Sequence, residues 1–233
     1  MVYGVALGPG DPELLTIKAL RVLQESDVIF YPGSSFQGKK KSYLFPLLSY
    51  HNLESKELRG FYLDMSDDRT QAKEVYYSTA REIQELTNSG KKVSVVCEGD
   101  LSLYASFSYI LKHLKDLGVS VELVPGVNSF SLGAAKHQIP LSLLNDKIGI
   151  VPRIKSMEEI TKYFHQFDTL VLMKVKTSWQ HFYQELAEQN WQFYYCERLG
   201  TNQEFITTDL HEISSREIPY FSLLIIKKNH IHD

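Results

Sequence analysis

Cysteine is scarce in this chain. Cys97 and Cys196 are the whole supply, too few for a disulfide framework, so a reducing compartment, the cytoplasm, is the expectation. Glycine (13) and proline (8) are too few for a fibrous or disordered chain. Long apolar runs are missing. The longest mostly apolar stretch, Phe221 to Ile226, falls far short of the roughly 20 residues that cross a bilayer. Residues 2–7 (VYGVAL) turn apolar at once, with no basic stretch before them, unlike a secretory leader. Positive charge is also short: 25 Lys plus Arg stand against 28 Asp plus Glu, a net charge of −3. A nucleic-acid binder needs a clustered basic field, so neither a nucleic-acid nor a membrane partner is expected.

Metal and triad chemistry lack their residues as well. Neither cysteine has a Cys or His neighbour at ligand spacing, and His230 and His232 sit in the terminal tail. No protein-held metal is expected. The eight histidines are scattered and give no Ser-His-Asp order.

What is present is an alternation of strands and helices. The 233 residues, 43% of them hydrophobic, suffice for one large or two modest domains. Residues 2–7 read as a buried strand. Asp11 then reads as a helix cap with Pro12 at the first helical position, and Leu15, Ala19, Val22 and Leu23 form the apolar face. A short strand over 28–31 precedes a glycine, serine and lysine loop at 32–42 (PGSSFQGKKKS). Further strands are expected at 57–63, 93–97 and 119–124. Helices are expected at 69–88, at 103–117 on the stripe Leu103, Phe107, Ile110, Leu111, Leu114 and Leu117, and from about 129 to 137. Beyond a boundary near 138–147, strands near 147–151, 168–173, 191–197 and 219–226 alternate with helices near 156–164 and 178–189. The expected architecture is two α/β lobes, 1–140 and 141–233, the first with a mostly parallel sheet and the second with a mixed one.

In such sheets ligands sit beyond the carboxyl ends of the strands, where three loops stand out. In the first, Gly8-Pro9-Gly10 offers G-x-G after a strand. Glu13 then takes the third small position and Pro9 removes an N–H, so the loop suits neither NAD nor a phosphate. It reads either as a tight capped turn or as a seat for a ligand that is not anionic. In the second, Glu98 and Asp100 can face ribose hydroxyls or a cation, or Asp100 can cap the next helix. In the third, PGVNS, Asn128 and Ser129 can meet an adenine edge or cap a helix.

The segment GVALGPGDPELLTIKALRVLQESDVIFYPG (4–33) resembles the N-terminal signature of the tetrapyrrole methylase superfamily. VVCEGDLSLYASFSYI (95–110) and ELVPGVNSFSLGAAKHQIPL (122–141) resemble its second and third motifs. LVLMK (170–174), ERLGT (197–201) and FSLLII (221–226) resemble its C-terminal lobe. The likeness spans nearly the whole chain. One departure is Leu101, where the family usually carries proline after Gly99-Asp100. Tyr31-Pro32 and the phrase SLYASFSYIL resemble the precorrin-2 C-20 and cobalt-factor II methyltransferase branch.

The resemblance implies an enzyme: a methyltransferase of cobalamin biosynthesis that uses S-adenosylmethionine on a carboxylate-rich tetrapyrrole, generally as a homodimer, with the ligand in a cleft between the lobes. Its alternatives are another enzyme of the superfamily (a diphthine synthase or an rRNA ribose methyltransferase) or a non-catalytic S-adenosylmethionine-binding module. The cofactor contacts it implies are Pro9, Gly99, Asp100, Leu103, Tyr104, Asn128, Ser129, Met173, Leu199 and Gly200. A polycarboxylate asks for cations. Lys39, Lys40 and Arg153 are the expected substrate contacts, out of a set that also holds Lys41, Arg59, Lys155, Lys174 and Arg198. The 32–42 loop is the expected lid. No base is singled out; Asp11, Asp100 and Tyr104 are the candidates.

Overall fold

The computed structural model describes residues 1–36, 38–64 and 70–229. His230 and His232 therefore lie outside the described residues. The chain packs as two units, Met1–Asn128 and Ser129–Asp233.

The first unit holds strands β1 (Val2–Ala6), β2 (Val28–Phe36), β3 (Lys39–Lys41), β4 (Glu57–Asp64), β5 (Val93–Cys97) and β6 (Val121–Val124), with helices α1 (Ile17–Glu25), α2 (Phe45–Tyr50), α3 (Thr70–Asn88) and α4 (Phe107–Asp116). The strand order is β3-β2-β5-β1-β6, and β4 lies along β2. Every pairing is parallel except β2 with β3. Parallel neighbours need crossovers, and the helices supply them. Alternate residues of the central strands feed opposite faces. Val2, Phe30, Val93 and Val95 pack with Tyr76, Ile83, Ile110 and Leu114 of α3 and α4. Val5, Ile29 and Val96 pack with Ala19, Val22 and Leu23 of α1 and with Leu47 and Leu48 of α2. A sheet buried on both faces explains the near-continuous apolar strands.

The second unit holds α5 (Ser129–Lys136), β7 (Ile148–Pro152), α6 (Met157–Phe164), β8 (Thr169–Met173), α7 (Trp179–Ala187), β9 (Trp191–Glu197), β10 (Phe205–Thr207) and β11 (Ser222–Lys228). The order is β10-β9-β11-β8-β7. Only β7 and β8 pair in parallel, so the sheet is mixed. Ile160, Phe164, Phe182 and Leu186 of α6 and α7 cover Leu170, Leu172, Tyr195 and Leu224 of the sheet.

The two α/β units and their sheet types match the sequence reading, and several local expectations change. The unit boundary lies before α5, not near 138–147. The His137 ring bonds the Tyr195 carbonyl at 3.1 Å, Lys227 Nζ donates to the Pro140 carbonyl at 2.6 Å, and Thr169 Oγ1 donates to the Leu141 carbonyl at 2.7 Å. Asp11 caps a short 3₁₀ turn at Pro12–Leu14, while Thr16 caps α1 through the Ala19 N–H. The expected strand at 28–31 runs on to Phe36. Pro32 is tolerated because it falls between Phe30, the last residue paired with β5, and Ser34, the first paired with β3, so its missing N–H breaks no ladder on that edge. The expected helix at 103–117 begins only at Phe107. Leu103 fits the stripe by spacing, but Tyr104 has φ +56° and turns the chain before the helix can form. The short elements α2 and β10 were not expected.

Candidate functional site

The three loops of the sequence reading meet at one end of the first sheet, because β5, β1 and β6 are adjacent and parallel. The first two are joined by their backbones. Gly8 donates to the Gly99 carbonyl (3.1 Å) and Gly99 donates back to Gly8 (2.8 Å). Gly8 (φ +78°) and Gly99 (φ +66°) sit where side chains are disfavoured. A Cβ on Gly99 would meet nothing within 4 Å, so its outer side is open.

Asp100 joins the second loop to the third. Its Oδ1 accepts the Ser102 N–H (2.9 Å) and the Ser102 hydroxyl, and its Oδ2 accepts the Gly126 N–H (2.8 Å). It does not cap α4. Burial works to raise its carboxyl, but the Ser102 hydroxyl and the N–H groups of Gly126, Ser102 and Leu101 outweigh that and hold it below the ordinary value. Asp100 is thus a buried, ionised strut. At Gly126 a Cβ would lie 2.7 Å from Ala6 Cβ and 2.9 Å from the Gly99 carbonyl oxygen, so only glycine lets the third loop close. Leu101, where the family pattern has proline, is buried in the core beside α4; packing replaces ring stiffness there.

Around this strut, Pro9, Leu103 and Asn128 are half-buried and Tyr104 is 44% exposed. Burial pushes the Tyr104 phenol up and the Glu98 carboxyl up. Burial likewise raises the Cys97 thiol behind this loop, with the Glu98 and Asp100 charges adding to it. The set tests well against S-adenosylmethionine. It offers an open edge at Gly99 and the ionised Asp100 carboxylate for a cationic nucleoside, and no phosphate cradle, since Pro9 lacks an N–H.

The segment expected as a loop is a β-hairpin. Ser34, Ser35 and Phe36 pair with Lys41, Lys40 and Lys39. Lys40 Nζ lies 4.6 Å above the Tyr62 ring and Lys41 Nζ 4.7 Å above the Tyr43 ring; Lys39 is exposed. The Tyr62 hydroxyl meets that of Tyr31 at 3.0 Å, a bond that with burial pushes the Tyr31 phenol up to about 12. A cleft of about 660 Å³ lies between β4 and α3, and Lys40 and Arg59 are among its lining residues. Arg59 is already bonded to Glu57 and Glu82.

In the second unit, Met173, Leu199 and Gly200 lie along one end of the sheet. Met173 pairs with Leu223 and Leu223 with Cys196, while Leu199 is 5% exposed. Ser129, half-buried, opens α5. The same helix packs closely at Gly133, where a Cβ would lie 3.0 Å from Cys196 Sγ and 3.5 Å from Leu199 Cδ1. Glu204, which sequence reasoning missed, fixes the Leu199–Gly200 turn. Its Oε2 accepts the Gly200 N–H at 2.7 Å and its Oε1 meets Lys136 Nζ of α5 at 2.9 Å. Burial works to raise the Glu204 carboxyl, and these two donors hold it low.

Three basic residues follow three strand ends directly. Arg153, Lys174 and Arg198 succeed β7, β8 and β9, and their φ values are +55°, +59° and +45°. Left-handed backbone costs a side-chain-bearing residue roughly 1–2 kcal/mol, so each must be held by its surroundings. Arg153 N–H donates to the Met173 carbonyl (2.9 Å) and Arg198 N–H to that of Phe221 (2.9 Å). Just before Arg198, the buried Glu197 carboxylate accepts the Tyr195 hydroxyl (2.7 Å) and pairs with Arg216 (3.0 Å). Lys155 is exposed, and its N–H donates to Glu159.

Among the described residues, no group of three His, Cys, Asp or Glu side chains could hold a metal ion, and no helix is long and apolar enough to cross a membrane.

Comparisons with known proteins identify the family. Residues 1–214 match the family model for Tetrapyrrole (Corrin/Porphyrin) Methylases. The chain is 37% identical over 175 residues to a probable cobalt-precorrin-2 C(20)-methyltransferase of Methanocaldococcus jannaschii, covering 75% of this chain and 72% of that protein. It is 27% identical over 232 residues to the cobalt-precorrin-2 C(20)-methyltransferase of Salmonella typhimurium, covering 97% and 96%. Among solved structures, uroporphyrin-III C-methyltransferase from Thermus thermophilus complexed with S-adenyl homocysteine shares the fold at a TM-score of 0.66, with 24% identity over 97% of this chain and 96% of that one.

Proposed function

The chain belongs to the tetrapyrrole (corrin/porphyrin) methylase family, and from that premise we propose that it methylates C-20 of precorrin-2 or of its cobalt-containing form, in cobalamin biosynthesis, with S-adenosylmethionine as methyl donor. The observation that carries this reading is the convergence of the three motif loops on Asp100, beside the open edge of Gly99, in a chain similar over most of its length to C(20)-methyltransferases.

The proposed cofactor contacts are Pro9, Gly99, Asp100, Leu103, Tyr104 and Asn128 in the first unit and Ser129, Met173, Leu199 and Gly200 in the second. Bound S-adenosylmethionine supplies the methyl group on an activated sulfonium. The chain's own task is then to hold and align the partners and to keep water out. The low pKa of Asp100 suits it to balancing positive charge while it holds the loops, and makes it a weak proton acceptor. The Tyr104 phenol, raised by burial, stays protonated at neutral pH. Lys39 and Lys40, on the β2–β3 hairpin, and Arg153 are the proposed substrate contacts. The same reading places the enzyme in the cytoplasm as a homodimer, which the exposed Tyr77 (51%) and Tyr109 (53%) on α3 and α4 support.

Incubation with S-adenosylmethionine and either tetrapyrrole, followed by mass spectrometry, tests the proposal. One added methyl group is the expected result. An unchanged mass with both substrates, from protein that binds S-adenosylhomocysteine calorimetrically, would leave only a cofactor-binding module.

A further inference from the structure

Three features of the second sheet coincide at one edge. β11 runs antiparallel to both β8 and β9, and β7 runs parallel to β8. β7, β8 and β9 therefore all end on the same side. The residue after each of them is a cation, Arg153, Lys174 and Arg198, and all three have left-handed backbone. Strand spacing sets Arg153 about 5 Å from Lys174, and Arg198 about 10 Å further along, across the intervening β11.

Left-handed Lys and Arg are uncommon at single positions, and such strain gathers at ligand clamps. Glycine or asparagine would exit these strands with less strain. Nor are the two arginines spoken for: among the described residues, neither Arg153 nor Arg198 has a carboxylate within ion-pair distance. Glu197, adjacent to Arg198, pairs with Arg216 instead.

We propose that Arg153, Lys174 and Arg198 form a carboxylate-gripping row along the exit edge of the second sheet, which binds the acidic side chains of the tetrapyrrole. The inference rests on the tetrapyrrole reading above and deepens it, adding Lys174 and Arg198 to Arg153 and giving the three a common geometry. A row with one short and one long gap fits a rigid ligand whose carboxylates are set around a ring. Guanidinium groups at both ends allow bidentate contacts.

Glycine substitutions test the row, because Arg153→Gly, Lys174→Gly and Arg198→Gly remove the charge and keep the backbone conformation accessible. Affinity is read by fluorescence quenching with uroporphyrin, a stable polycarboxylate tetrapyrrole, and KM is read with precorrin-2. Each variant is expected to weaken both about tenfold, in line with loss of a charge-assisted bond. The folded fraction and the affinity for S-adenosylhomocysteine stay unchanged, and Arg198→Lys restores part of the loss. Wild-type protein that binds uroporphyrin and precorrin-2, with all three variants at wild-type affinity, overturns this inference alone. Variants that lose S-adenosylhomocysteine instead would assign the row to the cofactor's carboxylate and overturn the tetrapyrrole assignment. Wild-type protein that binds neither tetrapyrrole overturns this inference together with the reading beneath it.

Discussion

Where β1 and β5 leave the first sheet, the chain turns on Gly8 and Gly99 at positive φ; where β7, β8 and β9 leave the second, it turns on Arg153, Lys174 and Arg198 in the same backbone region. The turn geometry is similar and the residue choice is opposite. Glycine clears space for close backbone approach, and Gly126 is boxed in by Ala6 and Gly99 as a result. A cation at the same conformation accepts strain and gains charge at the sheet edge. Yet both units lock the neighbouring loop alike, through a carboxylate that accepts a glycine N–H: Asp100 with Gly126 and Glu204 with Gly200.

The comparison breaks most visibly at Gly126. Gly126→Ala forces backbone apart and should lower unfolding free energy by about 3 kcal/mol, whereas Gly99→Ala, which enters open space, should lower it by only about 1 kcal/mol through its φ. Urea denaturation of both variants checks this, and equal losses would remove the distinction between crowded and open glycines.

Next come the two locks. Asp100→Ala removes the bonds from Ser102, Gly126 and Leu101 and should lower stability by about 2 kcal/mol at pH 7, against about 1 kcal/mol for the more exposed Glu204→Ala. Both carboxyls are held below their ordinary values. Their contribution is therefore full above the unfolded value near about 4 and is lost as pH falls through the lower folded values. Asp100→Asn should flatten that acid limb in a pH series of thermal melts. Glu204→Gln, whose amide oxygen still accepts the Gly200 N–H, should fall less than Glu204→Ala. A larger loss for Glu204→Ala than for Asp100→Ala would reverse the ranking.

The smallest effect has the opposite sign. Arg153→Gly relieves left-handed strain, which offsets the greater freedom of glycine in the unfolded chain. Its melting temperature should stay level or rise, by up to about 1 kcal/mol of stability. A clear fall would show that the Arg153 side chain packs structurally.

Much of this was legible in the sequence, for definite reasons. Strands buried on both faces announce themselves as apolar runs, and the loops after β1, β5 and β6 show their glycines and carboxylates openly. What stayed hidden depends on partners distant in sequence. PGSSF reads as turn residues, and only the gap between two neighbouring strands lets β2 pass through Pro32. Leu103 matches the helical stripe, but the Asp100–Ser102 turn and Tyr104 intervene. Glu204 gives no local sign of its work, because Lys136 comes from a helix far earlier in the chain. Nothing in an arginine or lysine foretells left-handed backbone.

The two thiols carry a practical consequence. Cys97 and Cys196 are both buried, and burial drives both thiols up, Cys196 to about 12. At neutral pH almost no thiolate forms, and thiolate is the species that alkylating agents and peroxides attack. The folded enzyme should therefore shrug off iodoacetamide and air alike, and react only once unfolding uncovers the sulfur atoms. Its cysteine labelling is thus a clock for opening of the fold, not a sensor of oxidation.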